Sequence, residues 1–158
     1  MNSILKILFM TSTITLLGCS KPTKHEPISL DLQIEVETLS GVFATSSEEP
    51  NSKSETVYEF TPEFRFIYKS HVVSEGAEVV EEGTGTYGIM NGVVTAGADY
   101  TRQIKGQQPI ERMLTVEFKK EGDDLLLISK EELDLDKLSE YGEHVQTYSS
   151  PIRVSRKK

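Results

Sequence analysis

The chain has no tryptophan and only one cysteine in 158 residues, and it lacks any long apolar run. Each absence excludes something. A single thiol cannot build a disulfide framework, which takes an even number of partners. The longest apolar stretch, residues 7–17, is eleven residues with four Thr or Ser among them, well short of the ~20 apolar residues of a spanning helix. Basic residues are outnumbered, 17 Lys and Arg against 25 Asp and Glu for a net charge of −8, so the basic surface that nucleic-acid binding needs is missing. His25, His71 and His144 are isolated, and no His-x-His, His-Glu-x-x-His or Cys-x-x-Cys spacing marks a transition-metal site. Asp123-Asp124 and Glu81-Glu82 lack the regular acidic spacing of a calcium loop. No Gly-x-Ser-x-Gly elbow or other nucleophile signature occurs. The sequence offers no basis for a metal, a cofactor or a catalytic residue, and the expectation is a protein that is not an enzyme.

What is present begins at the N-terminus. Lys6 precedes the short apolar block, the order of the n-region and h-region of a secretory signal. The block ends in Leu16-Leu17-Gly18-Cys19 rather than in an Ala-x-Ala-like site. This tetrapeptide resembles the lipobox of bacterial lipoproteins, in which a cysteine thiol takes a diacylglycerol and the peptidase cuts before it. The resemblance implies a signal peptide over 1–18, cleavage between Gly18 and Cys19, and lipidation of Cys19, whose free amino group can be acylated too. Each buried methylene adds roughly 0.8 kcal/mol, and stable anchoring takes two or more chains, which such a cysteine carries. It accounts for both the position and the solitude of the only thiol. Cleavage removes one charged residue, Lys6, leaving 140 residues with 16 basic and 25 acidic side chains and a net charge of −9, one domain with room for a real core.

Residues 19–27, polar and marked by Pro22 and Pro27, read as a spacer holding the domain off the bilayer. In the resembling family an Asp directly after the lipidated Cys tends to keep lipoproteins at the inner membrane. Ser20 stands there in this chain, which implies an outer-membrane anchor facing the periplasm in a Gram-negative envelope, and the outer face of the single membrane in a Gram-positive one. Membrane lipid is thus the one partner the sequence implies directly; a protein partner is not legible.

From Ile28 the pattern has period two. Ile28, Leu30, Leu32, Ile34 and Val36 alternate with polar residues, which predicts a strand, and Gly41–Ala44 a second or its continuation. Residues 45–54 hold almost no apolar side chain and read as a polar loop. Residues 57–60 and 64–68 read as two strands joined by a tight turn. Residues 83–104 form the best-marked hairpin, with Asn91-Gly92 as a type I′ turn. Gly83, Gly85 and Gly88 do not precede a helix and so are not a phosphate loop; they predict bulges or sharp bends in a closing sheet. Residues 113–118 pair with 125–128 across a loop at 119–124. Ser129-x-x-Glu132 has the form of a capping box and predicts a short helix over 130–141, stopped by Gly142. A last strand covers 145–154, with Pro151 at an edge or bend, and Arg156-Lys157-Lys158 reads as a solvated basic tail. The expected fold is all-β with a minor α component over residues 28–155, an antiparallel up-and-down barrel of about eight strands, with an open sandwich as the alternative.

Gly41-Val42-Phe43, then Tyr58 to Phe66, then Gly83 to Ile89 and Leu114 to Ile128 resemble the bacterial lipocalin-like domain, over about residues 39–154. In that family a Gly-x-Trp opens the first barrel strand, and Phe43 stands here in place of the Trp; nor does an Asp-Gly follow Thr61. The resemblance implies a barrel whose alternate residues point inward and which can hold one small apolar or amphipathic ligand. Phe66, Tyr68, Tyr87, Tyr100 and Arg102 are the candidate ligand-binding residues; Phe64, Ile89, Leu114, Val116 and Phe118 share the inward face. A buried Arg102 needs a partner, either a ligand carboxylate or an internal Glu. The competing expectation is an envelope accessory or inhibitor protein that acts through its surface without a cavity.

Overall fold

A computed structural model of the chain describes the backbone of residues 30–134 and 144–158, and the side chains of 35–133 and 150–158. Cys19, Gly18, His25, the spacer and most of the expected helix at 130–141 lie outside the described residues. The elements in chain order are α1 (Leu30–Leu39), β1 (Gly41–Glu49), β2 (Ser52–Phe60), β3 (Arg65–Ser74), β4 (Ala77–Met90), β5 (Val93–Ile104), β6 (Ile110–Glu121), β7 (Asp124–Asp134) and β8 (His144–Arg156). The eight strands form a closed antiparallel barrel in sequence order. Closure removes the sheet edges that an open sandwich would expose.

The connectivity gives the barrel two distinct ends. The turns at 61–64, 91–92 and 122–123, the start of β1 and the end of β8 share one end. The turns at 50–51, 75–76 and 105–109 share the other. The Asn91-Gly92 turn forms as the sequence predicts: both residues have positive φ, 54° and 73°, and Met90 pairs with Val93 across it.

Several expectations are corrected. Over its described part, from Leu30, the alternating segment is not a strand but α1, lying over the first end of the barrel. A lid needs only a narrow apolar stripe, and Val36 and Leu39 supply it, buried while Glu35 and Glu37 stay exposed. The polar stretch 45–54 is a hairpin, because Thr45–Glu49 pair in continuous register with Ser52–Thr56. Its tip side chains face solvent on both sides, so no alternation marks it; backbone ladder bonds alone hold it. At 130–134 the chain is the end of β7, pairing with Arg112–Val116, so the helix expected from Lys130 does not begin there. The expected 119–124 loop is likewise mostly ladder, with Glu121 paired to Asp124 around a two-residue turn.

The core is a chain of rings. Phe43, Tyr58, Phe60, Phe64, Phe66, Tyr68, Tyr87, Tyr100 and Phe118 are linked by centroid distances of 5.0 to 6.2 Å, mostly in the edge-to-face or tilted geometries aromatic pairs prefer. Leu114, Val116, Leu125, Leu127 and Val154 complete it. Burying each such side chain stabilises by about 1.5–3 kcal/mol. No bulge falls at Gly83, Gly85 or Gly88, through which the pairing of β4 with β5 runs unbroken; Gly83 and Gly85 instead sit where β5 comes close. A Cβ on Gly85 would fall 1.9 Å from the Gly97 carbonyl oxygen, and one on Gly83 2.4 Å from the Tyr100 Cβ. Gly88 faces outward with nothing near it.

The barrel closes through few backbone pairs. β1 meets β8 only at Phe43↔Arg156 and Ala44↔Ser155, with one further bond from the Lys157 N–H to the Val42 carbonyl, 2.8 Å. Opposite Ile128 the β7–β8 register jumps, from Leu127↔Ile152 to Ser129↔Thr147, and Pro151, which has no N–H to lose, falls in the jump. Side chains make up for the short seam. Arg156 is not part of a solvated tail: it lies over the Phe43 ring at 4.6 Å and donates to the carbonyls of Thr38 (2.6 Å), Ser40 (2.8 Å) and Leu39 (3.5 Å). Those carbonyls belong to the C-terminal end of α1, where intrahelical donors run out and a cation is favoured. Gly41, at φ 145°, makes room, since a Cβ there would meet Arg156 Nη1 at 2.5 Å. One guanidinium thus bolts the helix, the first strand and the last strand together.

Candidate functional site

Of the ligand-binding candidates, Phe66, Tyr68, Tyr87 and Tyr100 all lie buried in the interior. They are not one cluster. Phe66 and Tyr87 sit toward the end covered by α1, where the Tyr87 hydroxyl donates to the Thr61 carbonyl at 2.7 Å. Tyr68, Tyr100 and Arg102 sit toward the opposite end, and there the interior changes character.

Adjacent strands place Ser70, Glu81 and Arg102 side by side in register on the inner face, and β6 and β7 add Arg112, Lys130 and Glu132. Glu81 is the deepest, with 7 % of its side chain exposed. It accepts hydrogen bonds from the Tyr68 hydroxyl and from Arg102 Nε at 2.5 Å. Glu132 accepts from Arg102 Nη2 and Arg112 Nη1, both at 3.1 Å, and pairs with Lys130 Nζ at 2.6 Å. Lys130 also lies 5.7 Å from the Tyr68 ring centroid. A buried Arg102 requires a partner, and the structure gives it two internal ones, Glu81 and Glu132. Sequence reasoning had Arg102 but missed its neighbours. Lys130 and Glu132 were hidden inside the capping-box reading, although Leu133 and the four preceding apolar residues already carried a strand signal.

The electrostatics follow from burial and these contacts. Burial pushes the Tyr68 hydroxyl up strongly, and the adjacent Glu81 carboxylate adds to the shift. Tyr100 is pushed up to about 12, first by burial and then by the Glu132 charge, with the neighbouring Arg112 guanidinium opposing. Burial pulls the Arg102 guanidinium down, but the charge and hydrogen bond of Glu81 outweigh it and leave Arg102 above its ordinary value. Burial likewise raises Glu132, yet Lys130, Arg102 and Arg112 together hold it below the usual carboxylate range. At neutral pH Arg102 and Glu132 are thus charged and Tyr68 and Tyr100 protonated.

Arg102, Arg112, Lys130 and Glu132 keep between 19 and 24 % of their side-chain surface exposed, so this end is within reach of solvent. Chemically the cluster is an ion network closed on itself: both oxygens of each glutamate are engaged. Among the described residues no group of three or more His, Cys, Asp or Glu could hold a metal ion. His71 lies within β3, with Glu78 at 3.1 Å on the outer face. Outside the barrel, an open groove of about 510 Å³ crosses β2 to β5 between Glu59, Lys69, Glu82 and Asp99. It continues past Thr84 and Gly97 toward Met113. Compared with known protein families, curated proteins and solved structures, the chain matches none.

Proposed function

We propose that the protein is a lipid-anchored lipoprotein of the bacterial cell envelope whose domain is lipocalin-like and acts through its surface. The Leu16-Leu17-Gly18-Cys19 motif supports the anchor. The up-and-down barrel opened by Gly41-x-Phe43, with Arg156 seated on the Phe43 ring, supports the lipocalin-like reading. The observation that carries the surface reading is the interior itself: nine rings linked one to the next, and glycines whose vacant side is taken by β5. A packed core of this kind behaves as a solid rather than a chamber.

A second reading is supported by the exposure of the ionic cluster. A small amphipathic molecule entering from that end would meet Arg102, Arg112 and Lys130 beside Tyr68 and Tyr100. Native mass spectrometry of the mature protein from its bacterial source separates the two. The first reading expects the mass of a chain starting at Cys19 plus its acyl groups and nothing more. A reproducible extra small-molecule mass would overturn it in favour of the second. A chain starting at Cys19 without acyl mass would remove the anchor.

A further inference from the structure

The two barrel ends differ in their distance from the anchor. We propose that the end covered by α1 faces the bilayer, with Met90 as its apolar contact, and that the ionic end points away from it. This rests on the lipidation of Cys19. The chain enters the fold at α1, and α1 lies over one end only: Lys120 Nζ donates to Thr38 Oγ1 at 2.9 Å, and Glu35, Thr38 and Leu39 share a small cleft with Ile89, Gly92 and Val94.

Length decides which end meets the membrane. Eleven residue steps separate Cys19 from Leu30, and at full extension they span at most ~40 Å. β4 has 14 residues, and a strand of that length tilted by ~40° covers roughly 35 Å of the barrel axis. Bringing the ionic end to the bilayer would demand a fully extended spacer laid along the whole barrel. Bringing the α1 end there demands almost nothing.

The α1 end also carries the apolar group suited to the interface. Met90, at the tip of the β4–β5 hairpin, is 75 % exposed, while the other exposed large apolar residues, Val73, Val80 and Ile152, lie between 37 and 39 %. Lys119, Lys120 and Lys158 share this rim with Glu63, Glu121 and Asp123. The mixed charge gives no net attraction to anionic lipid, so the tether and the apolar tip set the contact, as at other interfacial anchors.

The solitude of Cys19 makes the test clean, because lipidation consumes the only native thiol. The lipidated protein carrying either Lys119→Cys or Gln108→Cys is labelled with a fluorophore and mixed with phosphatidylcholine vesicles that bear a headgroup nitroxide quencher. The expected result is vesicle flotation of both, with the Lys119→Cys label quenched several-fold more than the Gln108→Cys label. Adding Met90→Ser reduces the quenching at Lys119→Cys. Equal or reversed quenching with intact flotation overturns the orientation and leaves the anchor standing. Unchanged quenching in Met90→Ser removes Met90 as the contact, and loss of flotation overturns the anchor itself.

Discussion

At the α1 end, Leu39, Phe43, Phe60 and Phe118 belong to one apolar core, with Arg156 seated on the Phe43 ring. At the other end, Glu81, Arg102, Arg112, Lys130 and Glu132 share a half-buried ion network under Tyr68 and Tyr100. The same eight strands frame both. The difference teaches where the stability of a small barrel comes from. Apolar packing contributes on every contact, whereas ion pairs taken from water roughly cancel their own desolvation. The α1 end therefore holds the fold together. The ionic end fills its share of the interior with side chains that remain compatible with nearby water.

The harshest way to break the packed half is Gly85→Ala, whose Cβ meets β5 backbone atoms that cannot turn aside. It should cost about 3 kcal/mol or more, or prevent folding, read by urea denaturation. Arg156→Met keeps bulk over Phe43 but removes the bonds to three α1 carbonyls, and should cost about 2–3 kcal/mol. On the ionic side, Glu132→Gln leaves three cations sharing a neutral amide and should cost about 1–2 kcal/mol, less than a fully buried pair because solvent reaches the site. Lys130→Met leaves Glu132 with both arginines and should stay within about 1 kcal/mol.

The ionic half also has a pH signature. Tyr68 and Tyr100 have raised folded-state values, so the folded protein holds these protons longer than the unfolded chain. Their contribution is complete below the ordinary tyrosine value of 10.0 and is lost as pH rises from there, toward about 12 for Tyr100 and still higher for Tyr68. Thermal melting should fall over that window, and Tyr100→Phe should flatten the fall. The smallest change is Gly88→Ala, outward-facing and unobstructed, which should stabilise by about 0.5 kcal/mol where Gly85→Ala destroys.

How much of this was legible in the sequence depended on whether a signal was local. The Asn91-Gly92 turn is local chemistry and was readable, as was the alternation through Phe66, Tyr68, Tyr87 and Tyr100 that sends those rings inward. The antiparallel β class followed from the run of short strands, but closure did not, since a barrel and an open sandwich share that pattern until β1 is seen to pair with β8. The segment from Ile28 misled because five alternating apolar residues fit a strand, while α1 needs only Val36 and Leu39 against a barrel end that the local sequence cannot show. The 45–54 hairpin was invisible because both its faces are wet. Ser129-x-x-Glu132 imitated a helix start, yet its residues pair with β6, and Glu132 serves Arg102, 30 residues away. Arg156 looked like tail because its partners lie 116 to 118 residues earlier. Long-range partners, not composition, decided each of these.

The claim that the α1 end carries the stability is tested most directly by urea unfolding of Arg156→Met and Lys130→Met side by side in the full chain. Each exchanges a cation for a methionine, one at each end. The account predicts that Arg156→Met lowers the midpoint clearly and Lys130→Met scarcely moves it, with equal slopes. A larger loss from Lys130→Met, or equal losses from the two, would contradict it.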